Sequence, residues 1–126
     1  MSFYNLVAVG LGGMLGSILR YISVRTIDSY LQRNFFFGTL TVNILGSFIL
    51  GTLVGVALKR VDLSEQTRLF IGVGFCGGFT TFSAFALENV NLINGKHLGT
   101  MVLYISVSII AGMLATFAGI WMGRSL

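Results

Sequence analysis

Charged residues interrupt this chain only at wide intervals. Met1 to Leu19 carries none, Asn34 to Leu58 runs 25 residues without one, Leu69 to Leu87 runs 19, and His97 to Gly123 runs 27 with His97 counted as neutral. A bilayer core about 30 Å thick takes about 20 apolar residues in a helix. The pattern therefore predicts four transmembrane helices near 3–24, 36–58, 68–93 and 98–123, in a single integral membrane domain covering 1–126. The connections Arg25 to Phe35, Lys59 to Thr67 and Asn94 to His97 are too short to fold alone. The first run reads as a span rather than a signal peptide. It has no basic stretch at its start, and it outruns the usual apolar region of ~7–15 residues to reach Arg20.

Composition sharpens this picture. Of 126 residues, 55% are hydrophobic and 10% charged, where an average soluble domain has about 25% charged. So small a chain has a high ratio of surface to volume, and eight Lys or Arg with four Asp or Glu cannot cover it. A soluble domain, a disordered tail and a nucleic-acid binder are excluded, despite the net charge of +4. The solvent for most of the chain is the lipid bilayer. Glycine is abundant (17 residues) and proline absent, which suits helices that approach closely in a membrane. The lone Cys76 reads as a small buried hydrophobe, with no partner for a disulfide within one chain.

Charge decides little about orientation. The side holding the N-terminus, the 59–68 loop and the C-terminus has Lys59, Arg60, Arg68 and Arg124. The other side has Arg25, Arg33 and Lys96, with Arg20 as a fourth if it snorkels that way. Short-loop Lys and Arg set topology, so near-equal tallies leave two readings. Either a weak bias is tolerated, or the chain inserts both ways and the two forms pair antiparallel.

Polar residues fall in stripes. The first span places Gly12, Gly16 and Arg20 four apart. The second does so with Thr39, Asn43, Ser47, Gly51 and Gly55, and the fourth with Tyr104, Ser108, Gly112 and Thr116. Residues at i and i+4 share a helix face. Such stripes pack membrane helices together, and three in one small protein also suit a polar pathway. Asn43 lies well inside its span, where an amide must find partners or line water.

The third span is unusual. Gly77-Gly78 followed by Thr80-Thr81 lies near its middle. Two glycines favour a break, and Thr hydroxyls compete for backbone partners. Such a break is tolerated only where it is buried in protein or lines a cavity, and its carbonyls can then serve ions. The alternative is an intact helix with a packing seam at Gly74 and Gly78. Phe82 and Phe85, three apart, share a face just beyond. Their positive ring edges suit contact with an anion, although a Phe pair also serves as plain core. Thr81 and Ser83 add hydroxyls beside them. Arg20 either snorkels or makes an electropositive vestibule. Glu88 reads as capping or pairing near the end of the third span. No His, Asp or Glu lies in mid-span, which argues against proton coupling. No nucleophile–base pair, phosphate loop or metal cluster appears, so an enzyme is not expected.

The stretch Gly77-Gly78-Phe79-Thr80-Thr81-Phe82-Ser83-Ala84-Phe85 with Glu88 behind it resembles the signature of the Fluc (CrcB-type) fluoride channel family. So do Gly38-Thr39-Leu40-Thr41-Val42-Asn43, the spacing of Gly12, Gly16 and Arg20, and Tyr104 with Ser108. The resemblance covers the whole chain. It implies an all-α membrane protein of four spans with the third broken mid-membrane, forming an antiparallel dual-topology homodimer. It implies passive fluoride export and fluoride resistance in a bacterial inner membrane, with two pores per dimer. It implies a structural sodium ion on the dimer axis, held by backbone carbonyls of Gly77 and Thr80 from both subunits. Phe82 and Phe85 match the pore phenylalanines, Asn43 the pore asparagine and Arg20 the vestibule arginine. Tyr104, Ser108, Thr39 and Thr116 match the polar track, with Thr81 and Ser83 beside it.

Ala84 and Ala86 stand where that pattern commonly has Thr and Ser, and Gly112 where a track serine can occur, so these positions supply no hydroxyl. The runner-up is a small multidrug-type proton-coupled transporter, also of four spans. That class needs a mid-membrane carboxylate in the first span, and none is present. A third reading is a non-transporting assembly subunit.

The near-equal charge tally generates the first prediction. Tags placed at the C-terminus should report from both sides of the membrane. A single orientation in all molecules refutes antiparallel pairing.

Overall fold

The computed structural model describes residues 1–31, 36–59 and 62–126. Among them, helix α1 spans Phe3–Tyr30 and helix α2 spans Phe37–Lys59. Helix α3 runs over 65–79, through an α-helical turn Glu65–Arg68, a π-helical segment Leu69–Cys76 and a last turn Gly77–Phe79. Helix α4 spans Phe82–Asn94 and helix α5 spans Leu98–Ser125. Four stretches are long and apolar enough to cross a membrane: Phe3–Tyr30, Phe37–Lys59, Glu65–Asn94 and Leu98–Ser125.

The helix ends follow local chemistry. Ser2 caps α1 by accepting the N–H of Tyr4 at 3.3 Å, and Ser64 starts α3 by accepting the N–H of Thr67 at 3.1 Å. These bonds satisfy amides that a helix start leaves without a partner. The chain turns tightly from α4 to α5. His97 donates its N–H to Leu92 O at 2.8 Å, and Lys96 adopts φ 59°.

α1 outruns its expected end near residue 24 and stays helical to Tyr30. The charges at Arg25 and Asp28 suggested a loop. Arg25 instead lies over the Tyr21 ring of the same helix, 6.0 Å from its centroid, and Asp28 Oδ1 accepts the N–H of Gly38 at 3.0 Å.

Two glycine seams set the packing. An added Cβ on Gly12 or Gly16 of α1 would collide with the carbonyls of Phe70 and Phe75 in α3. In return, a Cβ on Gly74 would lie 2.9 Å from Gly12 Cα, and one on Gly78 would lie 3.0 Å from Ser17 N. The second seam joins α2 to α5. There, Gly51 faces the carbonyl of Thr116, Gly55 that of Ile120, Gly119 that of Phe48 and Gly123 that of Thr52. With no apolar driving force between helices in lipid, such backbone-to-backbone approach is what holds spans together.

The interior of the single chain is small. Among the described residues, Tyr104, Val42 and Thr39 are its largest fully buried side chains, while Phe82, Trp121, Phe117 and Ile110 stand largely exposed. Most apolar side chains therefore face outward, as a membrane protein requires.

The seams predict a sharp contrast between neighbouring glycines. G16A should lower the thermal midpoint in detergent by an amount corresponding to about 1–3 kcal/mol, because backbone cannot give way as a side-chain tip does. Gly10 has nothing within 4 Å of an added Cβ. G10A should leave the midpoint unchanged or raise it, as alanine favours the helix by up to ~1 kcal/mol.

Candidate functional site

The site is built on an interruption. Thr80 (φ −87°, ψ 159°) and Thr81 (φ −150°, ψ 117°) are extended, between α3 and α4. Gly77 and its neighbours remain helical, with φ −63° and ψ −37° at Gly77. Of the glycines expected to break the helix, Gly78 instead packs against Gly13 and Ser17 of α1 while Gly77 keeps open space around it, and the extended pair comes three residues later. The reason is partnership. Extended residues persist where other groups take their polar atoms.

The polar atoms of Thr81 and the two donors of Thr80 all have polar contacts. The side chain of Asn43, from α2, reaches Thr81 at both backbone groups. Its Oδ1 accepts the Thr81 N–H at 2.7 Å, and its Nδ2 donates to Thr81 O at 3.1 Å. In an unbroken α-helix that N–H would go to Gly77 O. The Thr81 hydroxyl accepts the N–H of Ala84 at 3.2 Å and so caps α4. Thr80 donates both N–H and hydroxyl to Cys76 O, at 3.0 and 2.7 Å. Arg20 Nε, from α1, donates to Gly78 O at 2.9 Å. Arg20 therefore neither snorkels freely nor only lines a vestibule: it holds the last turn of α3.

A second cluster lies beside the first. Glu88, on α4, accepts from Thr39 Oγ1 and from Tyr104 Oη, both at 2.6 Å. Short bonds to a carboxylate are the strong, charge-assisted kind. Each of these hydroxyls has one proton, and both protons go to Glu88. Thr39 and Tyr104, both expected on the polar track, thus direct their donors to Glu88 in this structure. Phe85 meets the Tyr104 ring edge-on at 5.1 Å between centroids, and Phe36 stacks on it at 4.2 Å.

Two clefts flank the interruption. The larger, about 430 Å³, is lined by Asn43, Thr80, Phe82, Phe85, Ser108 and Gly77, among others. The smaller, about 260 Å³, is lined by Arg20, Arg25, Thr39, Glu88 and Ser17. Thr81 lines both. In the larger cleft Phe82 is 80% exposed, and its ring lies 5.8 Å from that of Phe85. Ser108 Oγ is buried with no partner among the described residues. Gly77 shares that cleft, with open space around it. Two expected residues lie apart. Thr116 bonds back to Gly112 O at 2.9 Å and packs in the seam with Gly51. Ser83 is exposed and only approaches the Thr81 hydroxyl, at 3.4 Å.

Sequence reasoning placed Glu88 without its partners and missed the pair of hydrogen bonds between Asn43 and Thr81. The first had a readable signal: an acid at the edge of an uncharged run needs donors, and two polar stripes begin at Thr39 and Tyr104. The second had none, because a side chain bonding backbone in another helix leaves no spacing pattern.

Together these features define a small polytopic membrane protein whose polar groups gather at one interrupted helix. The model of the family described as CrcB-like protein, Camphor Resistance (CrcB) matches residues 7–120. The chain belongs to this family. It is 42% identical over 122 residues to the fluoride-specific ion channel FluC of Agrobacterium fabrum, covering 97% of this chain and 98% of that one. It is 38% identical over 118 residues to FluC of Flavobacterium psychrophilum, covering 94% and 95%. It is 46% identical over 111 residues to FluC of Azobacteroides pseudotrichonymphae, covering 88% and 89%. The family is one of ion channels, not of enzymes.

The Asn43 bridge generates a prediction about stability, independent of transport. N43A strips Thr81 of two backbone partners and should cost about 2–4 kcal/mol in a solubilised unfolding assay. Ser47 only bonds back to Asn43 O, at 2.7 Å, and S47A should cost less than about 1 kcal/mol. Equal losses in the two variants would remove the bridge from its structural role.

Proposed function

We propose that this chain is a fluoride-selective channel that lets fluoride leave passively across a bacterial inner membrane. It works as an antiparallel, dual-topology homodimer with two pores. The observation that carries this reading is the near full-length similarity, at 38–46% identity, to proteins named fluoride-specific ion channels. The proton-coupled transporter is not favoured by any feature of the clefts.

The larger cleft supports the reading chemically. Fluoride is small and strongly hydrated, so a path must replace its water with donors while still letting it go. Residues lining this cleft include Asn43, Ser108, whose buried hydroxyl has no partner among the described residues, and Phe82 and Phe85. Asn43 spends one amide hydrogen on Thr81 O and keeps the other. Ring edges carry partial positive charge without a full cation that would trap the ion. Phe82 is exposed in the single chain, as a residue shared with a second subunit would be.

The resemblance also calls for a sodium ion. Among the described residues no group of His, Cys, Asp or Glu could hold a metal, so any ion site must use other oxygens. Gly77 fits such a role. Its α-helical partner, the Thr81 N–H, goes to Asn43 instead, and nothing lies within 4 Å of an added Cβ. Carbonyls of Gly77 and Thr80 would hold the ion between two subunits. There the ion would supply positive charge and satisfy oxygens freed by the interruption. The Thr80 hydroxyl is turned back to Cys76 O, so T80A should leave that ion in place.

Reconstituted vesicles loaded with fluoride test the function. Fluoride efflux should far exceed chloride efflux and persist when the proton gradient is collapsed at fixed voltage. F82I and F85I keep approximate bulk but lose the positive ring edge. Flux per dimer should fall at least about tenfold in each while the dimer still forms. A control must not disturb packing, which rules out the buried Phe79 stacked on Phe75. The exposed Phe3 serves instead, and F3I should keep wild-type flux. Normal flux in both pore variants would discard the ring-edge role.

A further inference from the structure

We propose that Asp28 is a positioning residue for anion passage, acting through the start of α2, which carries Thr39; this rests on the channel reading above. Asp28 lies in the part of α1 that continues beyond the uncharged run. Its Oδ1 accepts the N–H of Gly38 at 3.0 Å. That amide belongs to the first turn of α2, where helix geometry leaves N–H groups without partners. A carboxylate there also opposes the positive end of the helix.

The contact is tight on the α2 side. An added Cβ on Gly38 would lie 2.9 Å from Asp28 Oδ1 and 2.9 Å from Val24 Cα. Gly38 therefore sits directly on α1, and the carboxylate fixes its backbone. The next residue is Thr39, only 1% exposed, whose hydroxyl donates to Glu88 at 2.6 Å. Glu88 in turn holds Tyr104 at 2.6 Å and lines the smaller cleft with Arg20 and Arg25. A chain of contacts thus runs from Asp28 through Gly38 and Thr39 to the acid at the cleft wall.

The charge of Asp28 alone would be a poor reason for its presence. A bare carboxylate close to a cleft with two arginines repels an anion. Committed to the Gly38 N–H, it acts as a helix cap, and its contribution is the register of Thr39 against Glu88. The two roles predict opposite results. If Asp28 acts as a cap, its acceptor oxygen matters more than its charge. If it acts as a charge, removing that charge raises anion current.

Single-channel fluoride recordings on the full-length protein separate these, because unit conductance is insensitive to how many channels assemble. D28N keeps an acceptor at the same reach and should stay within about twofold of wild type. D28A should lower unit conductance at least about fivefold, the size of a lost N-cap. In a T39V background D28A should add no further loss, because the route through Thr39 is already cut. If D28A yields no dimer, D28E decides: its acceptor is displaced by one methylene, and its conductance should fall below that of D28N. Conductance unchanged in D28A, equal loss in D28N and D28A, a rise in D28N, or full additivity with T39V overturns the proposal alone. A wild-type protein with no fluoride current overturns the channel reading and the proposal with it.

Discussion

The two bonds between Asn43 and Thr81 are the interaction on which the rest of the site depends. A helix that stops and restarts among apolar spans must hand its freed backbone groups to something. Asn43 takes both polar groups of Thr81 at once. An amide is the side chain for this, since it holds a donor and an acceptor in one plane. Asp has no donor in its ionised form, and Leu has neither. With Thr81 fixed, its hydroxyl is free to cap α4, and the carbonyl of Gly77 loses its usual partner. One side chain on α2 thereby sets where α3 ends, where α4 begins and which oxygens face outward.

The glycine seams make the other half of this possible. Arg20 reaches Gly78 O only because α1 lies against α3 at backbone distance, with Gly12, Gly16, Gly74 and Gly78 along the contact. A residue with a Cβ at Gly16 would push the helices apart and draw the guanidinium away from its carbonyl. The small residues are thus tied to the polar site through geometry, although none of them has polar chemistry of its own. The seam between α2 and α5 does the same for Thr39, Tyr104 and Glu88, which come from α2, α5 and α4.

Particular residues show how far the sequence could be read. Four spans were legible because lipid forbids charge along some 20 residues, so the uncharged runs mark the spans directly. The end of α1 was not legible, because Arg25 and Asp28 look like loop residues until the bond to Gly38 is seen. The interruption was legible as an event in the third span but not in its position. Gly77 and Gly78 suggest a break by propensity, yet both stay helical, with Gly78 packed on α1, and the extended backbone falls where Asn43 can hold it. Tertiary contacts outweighed local preference there. For Thr39 and Tyr104, the residues were found but their acceptor was not. Thr116 shares a helical stripe with Ser108, yet a stripe only gives a face, and its lower end packs into the α2–α5 seam.

Arg20 lies where the end of α3 and the smaller cleft coincide. Its Nε is committed to Gly78 O, which stabilises the last turn of α3. A guanidinium has five N–H donors in a rigid fork, so this commitment leaves the others beside the smaller cleft. Lysine has a single nitrogen and would have to divide it between the carbonyl and the cleft. In the same cleft Glu88 contributes negative charge, but its oxygens already accept from Thr39 and Tyr104. Hydroxyl donors concentrated on a carboxylate lower its pull on nearby cations, so Arg20 and Arg25 keep their fields for the cleft rather than closing onto Glu88. The structure therefore places permanent positive charge on one side of Thr81 and only neutral donors and ring edges on the other. On the proposed channel reading, an anion would be attracted first by charge and held next by groups weak enough to release it. That order is what conduction, as distinct from binding, requires.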